Sequence, residues 1–334
     1  MNPDFSQPLP KNPHGAAKVA IKAIIRPPRQ EYNLSGLINN VYYDLNKPPI
    51  PRINVSFKNR NNLTIIGSFY KSINYSTETK HDCLVYLHGN VSSQKEGMFT
   101  VRHVAPLGIS VFCFDFSGSG LSEGKYVTMG YNEHHDIIDA TEFLAKNYQI
   151  RRFVLMGRSM GASAALMAAP HIKNIAGFII NSAFTSLQDL FNSISSQANF
   201  PSLALPVAML WMKKKLKNKA KFNPVKVKPI ESAKKCNFPL LIGHARDDSF
   251  IPLHMAESIL NEYACSKKEL FLMEGGHNGA RPEMWQERCL EFIVDVLSCS
   301  TAHFGPDSAL NNTIKGDDRS KKLARTNSAR DLLS

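Results

Sequence analysis

The sequence predicts an α/β fold: a mostly parallel central sheet flanked by helices, with a small helical cap inserted in its second half. Short apolar runs alternate with amphipathic segments from residue 83 onward, a pattern typical of a wound parallel sheet. A serine turn flanked by glycines joins one apolar run to a run of helix-forming residues. A stretch over about residues 183–236 interrupts the alternation, and it is too long for an ordinary strand-to-helix connection.

The two ends of the chain differ in composition from its centre. Residues 1–50 are rich in proline, asparagine and lysine, so we expect an irregular N-terminal arm that wraps or precedes the core. Residues 299–334 turn polar and basic, which predicts a disordered C-terminal tail. The folded domain is therefore expected over residues 51–298.

The elements of this domain follow from periodicity. Residues 53–57 alternate apolar and polar, and a polar turn joins them to the run 63–70, which predicts a β-hairpin. Apolar runs then predict strands at 83–87, 109–114, 153–156, 178–180, 240–242 and 270–273. Amphipathic or small-residue segments predict helices near 94–104, 133–147, 159–169, 253–263 and 282–297.

Composition limits the class of protein. The chain is 43% hydrophobic and 20% charged, as globular proteins are, and no apolar run reaches the roughly 20 residues of a membrane-spanning helix. We also find no secretory leader or lipidation motif, so a cytoplasmic location is expected. The six cysteines show no C-x-x-C spacing, which favours free thiols over disulfides or a metal site. The net charge of +12 suits anionic partners, but no nucleic-acid-binding signature accompanies it, so nucleic acid is not expected.

The turn at residues 157–161 reads Gly-Arg-Ser-Met-Gly and separates a predicted strand from a predicted helix. A nucleophilic serine must stand on a tight, strained turn of this kind, and Gly157 and Gly161 keep side chains from clashing there. The helix that follows points its first N–H groups towards the serine, where an oxyanion would form. The pattern predicts Ser159 as a nucleophile and the Met160 N–H as one oxyanion donor.

A serine nucleophile needs a base, and the base needs a carboxylate to orient it. In a wound sheet both should follow later strands, in the order acid and then base. Asp247 and Asp248 follow the strand at 240–242, and we favour Asp248 because it heads the turn into the next helix. His277 follows the strand at 270–273 on a turn flanked by glycines, and we predict that it is the base.

A second oxyanion donor is expected on the turn His88-Gly89-Asn90, which follows the strand at 83–87. His-Gly at the end of a strand lets the backbone curl so that the Asn90 N–H points into the site. The alternative is a plain strand-to-helix turn. The glycine-rich loop at 117–124 lacks the spacing of phosphate-binding loops, so we interpret it as a structural turn.

Together these motifs resemble the α/β-hydrolase superfamily over about residues 53–298. The oxyanion turn, the nucleophile turn, the acid, the base and a D-x-x-G-x-G-x-S loop that begins at Asp115 occur in the superfamily's order. The chain is most similar to the small-capped group of serine aminopeptidases, bodyguard-type proteins and palmitoyl-protein thioesterases. It departs from them at Ala245, where many relatives have glycine, and in lacking the thioesterases' N-terminal cysteine cluster.

The resemblance implies a serine hydrolase that acts on carboxylic esters or thioesters through an acyl-enzyme, with no cofactor or metal. The substrate would be a small-molecule or lipid-like acyl compound. One alternative is a serine aminopeptidase, which would need a cap carboxylate to hold the substrate amine; residues 183–236 offer only Asp189 and Glu231. A second alternative is a non-catalytic scaffold that keeps the fold.

The cap carries an apolar segment at 200–211 followed by a lysine cluster that includes Lys213, Lys214 and Lys215. Two interpretations stay open. The segment is either a cap helix with its apolar face on the core, or a surface that makes peripheral contact with an anionic membrane.

Overall fold

The structure is a computed structural model that describes residues 15, 21–22, 25–197 and 205–298. Within these residues, nine strands form one sheet: β1 (Asn40–Val41), β2 (Ile50–Lys58), β3 (Thr64–Tyr70), β4 (His81–Leu87), β5 (Ser110–Phe114), β6 (Ile150–Arg158), β7 (Ile175–Asn181), β8 (Leu240–Ala245) and β9 (Lys268–Met273). The α-helices in the same residues are α1 (Val101–Val104), α2 (Glu133–Asn147), α3 (Met160–Ala168), α4 (Leu187–Gln197), α5 (Leu205–Ala220), α6 (Pro229–Ala233), α7 (Leu253–Glu262) and α8 (Glu283–Leu297).

The sheet has the order β1-β2-β3-β5-β4-β6-β7-β8-β9. The pairs β1–β2, β2–β3 and β3–β5 are antiparallel, and every pair from β5 to β9 is parallel. This confirms the predicted α/β class and the hairpin, whose register pairs Phe57 with Ile65. The carboxyl ends of the parallel strands meet at one edge of the sheet, where α/β proteins build their sites.

The parallel strands inside the sheet are largely buried on both faces because helices cover the sheet from both sides, and the edge strand β9 is half-buried. Every residue of β4 is buried. Its side chains alternate between two hydrophobic clusters: Val85 and Leu87 belong to one, and Leu84 and Tyr86 to the other. This alternation is the two-residue period of a strand, so the apolar runs of the sequence mark strands that lie between two cores.

The segment predicted as a helix near 94–104 differs from the prediction in type. A 3₁₀ helix occupies Gln94–Thr100, and only Val101–Val104 is α-helical. Gly97 lies in the middle of the segment, where glycine weakens an α-helix by about 1 kcal/mol relative to alanine. A Cβ at Gly97 would lie 2.4 Å from the Tyr86 ring, so the missing side chain is what lets the segment approach β4 closely.

The described part of the N-terminal arm is attached to the domain at several points. Ile21 and Ile25 are 6% and 2% exposed and belong to the main core cluster. Further along, β1 adds an edge strand by pairing with β2, with Val41 opposite Ile50. Residues 40–41 and 50 of the arm therefore belong to the sheet, which composition alone did not predict.

The cap insertion between β7 and β8 contains α4, α5 and α6. Phe191 of α4, and Met212 and Leu216 of α5, are buried in the main core cluster, so these helices pack on the core. The apolar segment predicted at 200–211 lies partly outside the described residues, and the predicted tail at 299–334 lies wholly outside them. Among the described helices, none is long and apolar enough to cross a membrane.

Candidate active site

Ser159 stands on a sharp turn between β6 and α3. Its φ is 52° and its ψ is −117°, a backbone conformation that costs a non-glycine residue about 1 to 3 kcal/mol. A hydrogen bond of 2.8 Å from its backbone N–H to the Asn181 carbonyl holds the turn. Gly157 and Gly161 make room for it: a Cβ at Gly161 would lie 2.1 Å from the Leu87 carbonyl oxygen, and one at Gly157 would lie 2.7 Å from the Ala162 nitrogen.

The three side chains predicted as nucleophile, base and acid form one hydrogen-bonded chain. His277 Nε2 lies 3.1 Å from Ser159 Oγ, and His277 Nδ1 lies 2.8 Å from Asp248 Oδ2. The three come from the ends of β6, β9 and β8, although they are separated by up to 118 positions in sequence. Both imidazole contacts have the lengths that a base needs in order to receive the serine proton while a carboxylate holds its other nitrogen.

Asp248 is prepared to remain an anion. Its side chain is fully buried, and its Oδ1 accepts N–H groups from Phe250 at 3.1 Å and Ile251 at 2.8 Å. Burial acts to raise the pKa of this carboxyl, but the His277 and Ile251 hydrogen bonds outweigh it and hold the pKa below its ordinary value. The neighbouring Asp247 is exposed. The structure therefore brings Asp248, and not Asp247, to the histidine.

His244 lies beside Asp248 and helps to hold the loop that carries it. Its Nε2 donates to the Ile251 carbonyl at 2.9 Å and lies 3.9 Å from Asp248 Oδ2. Burial lowers the pKa of this imidazole. It therefore packs the acid loop as a buried polar group.

The turn predicted as the oxyanion loop lies next to Ser159. A Cβ at Gly89 would be 3.9 Å from the Ser159 Cβ. The buried His88 fixes the turn from inside, since its Nδ1 donates to the Gly89 carbonyl at 2.7 Å and its Nε2 accepts the Phe116 N–H at 3.1 Å. Met160 begins α3, where the first N–H groups have no partner within the helix. Donation by Met160 and Asn90 to an oxyanion stays a prediction.

A half-buried ion pair, with no signal of the pairing in the sequence, connects the turn at 88–90 to the histidine loop. Arg158 Nη1 donates to Glu96 Oε1 at 2.9 Å, and Arg158 Nη2 donates to the His277 carbonyl at 3.0 Å. The other oxygen of Glu96 accepts the Gly89 N–H at 3.1 Å. Burial opposes the charge on both groups, yet the pairing leaves the pKa of Arg158 raised and the pKa of Glu96 lowered.

A second arginine holds the same histidine loop. Arg281 Nη2 donates to the His277 carbonyl at 3.0 Å, and its Nε and Nη2 donate to Asn181 Oδ1 at 2.9 and 2.7 Å. Its Nη1 donates to the Gly279 carbonyl at 2.9 Å. Because the Asn181 carbonyl accepts the Ser159 N–H, this asparagine bridges the nucleophile turn and the base. The only sequence signals were the position of Arg158 inside the serine motif and of Arg281 four residues after the histidine.

The loop that begins at Asp115 is held by the N-terminal arm. Buried Asp115 accepts the backbone N–H groups of Gln94 and Leu121, both at 2.7 Å, and also the hydroxyl of Tyr32. Arg29 donates to the carbonyls of Gly120 at 2.7 Å and of neighbouring loop residues. The loop is therefore a structural turn, as its lack of phosphate-binding spacing indicated.

No group of three or more His, Cys, Asp or Glu side chains within the described ranges is arranged to hold a metal ion. Cys83, Cys113, Cys236 and Cys289 are buried free thiols and Cys265 is half-buried; Cys299 lies outside the described residues.

Comparison with known proteins matches this architecture. Residues 78–235 match the family described as serine aminopeptidase, S33. The matched range contains Asn90, Ser159 and Met160 and ends before Asp248 and His277. Among curated proteins, the chain is 24% identical over 271 residues to the uncharacterized protein YfhR of Salmonella typhi, which covers 78% of this chain and 89% of YfhR.

Solved structures with a similar fold include esterases. The esterase Pf2001 of Pyrococcus furiosus superposes with a TM-score of 0.57 at 21% identity, over 74% of this chain and 93% of that protein. Acetyl xylan esterase 1 from Thermoanaerobacterium sp. JW/SL YS485 superposes with a TM-score of 0.58 at 16% identity, over 74% of this chain and 84% of that enzyme. At these identities the likeness establishes the fold.

Proposed function

This chain has the α/β-hydrolase fold, and from that premise we propose that it is a serine hydrolase that cleaves carboxylic esters or thioesters. The observation that carries the proposal is the hydrogen-bonded chain from Ser159 Oγ through His277 to Asp248. Ser159, the first residue of this hydrogen-bonded series, lies on a strained turn at the carboxyl edge of the sheet, where nucleophiles of this fold stand.

The proposed reaction follows from these contacts. Ser159 Oγ attacks the acyl carbon while His277 Nε2 takes the hydroxyl proton, and Asp248 balances the resulting imidazolium. The N–H groups of Met160 and Asn90 donate to the oxyanion. His277 then returns the proton to the alcohol or thiol as the bond to the acyl carbon breaks. A water molecule attacks the acyl-enzyme by the same route, which releases the carboxylic acid and restores Ser159.

The contacts of the two cap carboxylates favour an ester substrate over a peptide with a free amino terminus. Asp189 Oδ2 accepts hydrogen bonds from the hydroxyl groups of Thr185 at 2.6 Å and Ser186 at 2.7 Å, so this carboxylate is already engaged at the start of its own helix. Glu231 is exposed and pairs with Lys234 at 3.5 Å. The cap sequence contains no other carboxylate to hold a substrate amine. The matched family's description keeps an aminopeptidase as the second candidate.

A fluorophosphonate probe tests the nucleophile directly. We expect it to label the wild-type protein and not Ser159→Ala. A series of p-nitrophenyl esters from acetate to palmitate would then give the preferred acyl length, and leucine p-nitroanilide would detect an aminopeptidase. Absence of labelling in protein with a normal circular-dichroism spectrum would favour the non-catalytic scaffold, and faster turnover of the anilide would favour the peptidase.

We further propose that the outer face of α5 makes peripheral contact with an anionic membrane. Val207 and Leu210 are 71% and 70% exposed on this face, and Lys213 and Lys214 are exposed beside them. Exposed apolar groups next to lysines suit the boundary of an anionic lipid surface. Lys215 differs from its two neighbours, since it is only partly exposed and lies over the Trp211 ring at 5.3 Å.

Sedimentation with vesicles of phosphatidylcholine and phosphatidylserine tests this contact. Lys213→Gln with Lys214→Gln should weaken binding by about 30-fold, because each lysine near such a surface contributes about 1 kcal/mol. Turnover of a short soluble ester should not change. Vesicle binding that does not depend on these two lysines would refute the contact.

A further inference from the structure

A cleft of about 440 Å³ lies between the N-terminal arm and the cap helix α5. Its apolar wall is formed by Ile21 and Ile25 of the arm, Trp211 of α5 and Tyr126 of the loop that precedes α2. Cavities of this size and lining are typical of sites for small molecules. The catalytic side chains do not line this cleft.

The rim of the cleft is cationic. Lys22 and Arg26 contribute from the arm, and Lys215 and Lys219 contribute from α5. Because Lys215 and Lys219 are four positions apart, they lie on the same face of the helix. Among the residues that the structure describes, no carboxylate lines the cleft, and none of these four cations has an ion-pair partner.

Two of the cations are held over aromatic rings of the wall. The guanidinium of Arg26 lies 4.9 Å from the Tyr126 ring centroid, and the Lys215 ammonium lies 5.3 Å from that of Trp211. Such contacts keep a cation at a fixed place on an apolar surface. Positive charges so placed repel one another, and an anion that enters between them would relieve the repulsion.

We propose that this cleft binds an alkyl chain that ends in an anionic group, such as a long-chain carboxylate or an alkyl phosphate. The chain lies against Trp211 and the two isoleucines, and the anionic head lies among the rim cations. The inference goes beyond the proposed hydrolase function, since it is independent of Ser159 and concerns a different surface of the cap.

Isothermal titration calorimetry with four ligands tests both halves of this chemistry. Dodecanoate and dodecyl phosphate should each bind at one saturable site, and the tighter of the two identifies the preferred head. Dodecanol has the chain without the charge and should bind at least about fivefold more weakly, and acetate has the charge without the chain and should not bind. Equal affinity for dodecanol, or no binding of either anion, would overturn the proposal.

Two matched pairs of substitutions on α5 locate the site. Lys215→Gln with Lys219→Gln should weaken dodecanoate binding about fivefold, which corresponds to about 1 kcal/mol. Lys213→Gln with Lys214→Gln removes the same charge from the outer face of the same helix and should leave the affinity unchanged. If both pairs weaken binding equally, the attraction comes from net charge alone and the assigned site is wrong.

Fluorescence quenching gives a readout that does not rely on the lysine variants. The chain has two tryptophans, and Trp285 belongs to the other hydrophobic cluster and is 2% exposed. An 11-bromoundecanoate chain in the cleft should quench Trp211, and the quenching should disappear in Trp211→Phe. Quenching that persists in this variant would refute the location. Because every readout is binding, the result is separate from the test of catalysis.

Discussion

Replacing Asp248 by asparagine tests the catalytic assignment most sharply, because the surrounding hydrogen bonds dictate how the amide must turn. Oδ1 of the acid accepts two backbone N–H groups, from Phe250 and Ile251. In Asp248→Asn the amide oxygen must occupy this position, since an NH₂ group there would face two donors. The NH₂ group therefore replaces Oδ2 and points at His277 Nδ1.

The turned amide imposes the wrong tautomer on the base. Nδ1 of His277 must then accept a hydrogen bond, so the imidazole proton moves to Nε2, the atom that lies 3.1 Å from Ser159 Oγ. An Nε2–H cannot take the serine proton. The same change in a Ser-His-Asp triad lowers kcat by about 10⁴, and we expect a loss of that size here.

The assay is kcat/KM for p-nitrophenyl butyrate, together with the rate of fluorophosphonate labelling, at pH 7.5. Asp247→Asn is the matched control, because it changes the adjacent, exposed aspartate in the same way and should retain wild-type rates. A fall of less than tenfold in Asp248→Asn, or an equal fall in the control, would refute the assignment of the acid.

Three further predictions concern the support of the site and of the fold. Gly161→Ala should lower the free energy of unfolding by about 1 to 3 kcal/mol, because its Cβ would lie 2.1 Å from a carbonyl oxygen. Gly89→Ala is the control: no atom would lie closer than 3.8 Å to its Cβ, so the free energy of unfolding in the same urea titration should fall far less. Equal losses in the two variants would contradict this. Arg281→Lys should lower kcat about 10- to 100-fold with KM nearly unchanged, since it loosens the hold on the His277 carbonyl. Arg288→Lys, in a half-buried ion pair away from Ser159 and His277, should leave kcat unchanged. A change in KM alone in Arg281→Lys would indicate a substrate contact instead. Burial raises the pKa of Asp136 to about 7, so its ionisation disfavours the native state and its contribution to stability falls as pH rises from about 4 to 7. The free energy of unfolding of Asp136→Asn, measured by urea denaturation, should therefore increase relative to that of the wild type across this pH range. A difference that does not depend on pH would contradict the shift.

The sheet and the position of the site could be predicted from the sequence because both depend on short-range patterns of residue type. The apolar runs of β4 and β5 are buried along their whole length, so the run length is enough to mark these strands, whereas the edge strand β9 is only half-buried. The serine turn needs glycine at 157 and 161 for steric reasons, so its motif is constrained whatever the neighbouring sequence. The order of Ser159, Asp248 and His277 follows from which strand ends meet at the edge of a wound sheet.

The contacts that position Ser159, His277 and Asp248 were not predictable, because they join residues with no local signal. Glu96 and Arg158 are 62 positions apart, and Asn181 and Arg281 are 100 apart. Their pairing depends on side-chain packing in three dimensions. The lysine cluster shows the same limit on a helix. Lys213, Lys214 and Lys215 are adjacent in sequence, but the turn of α5 puts Lys215 over Trp211 and away from the other two.

Four charged groups surround His277: two arginines, Arg158 and Arg281, and two carboxylates, Glu96 and Asp248. The balance of their charges explains why both types are present. Arg158 is paired with Glu96, while Arg281 has no direct carboxylate partner among the described residues. Burial and the neighbouring Arg158 lower the pKa of Arg281, and the negative charge of Asp248 only partly opposes them. The four charges sum to zero. In the proposed reaction, proton transfer from serine to histidine would create an imidazolium and an oxyanion together, so the sum would remain zero as the reaction begins. Removing Glu96 would leave two guanidinium groups beside the His277 carbonyl, where they oppose the imidazolium; we therefore expect Glu96→Gln to slow turnover even though Glu96 touches neither Ser159 nor His277.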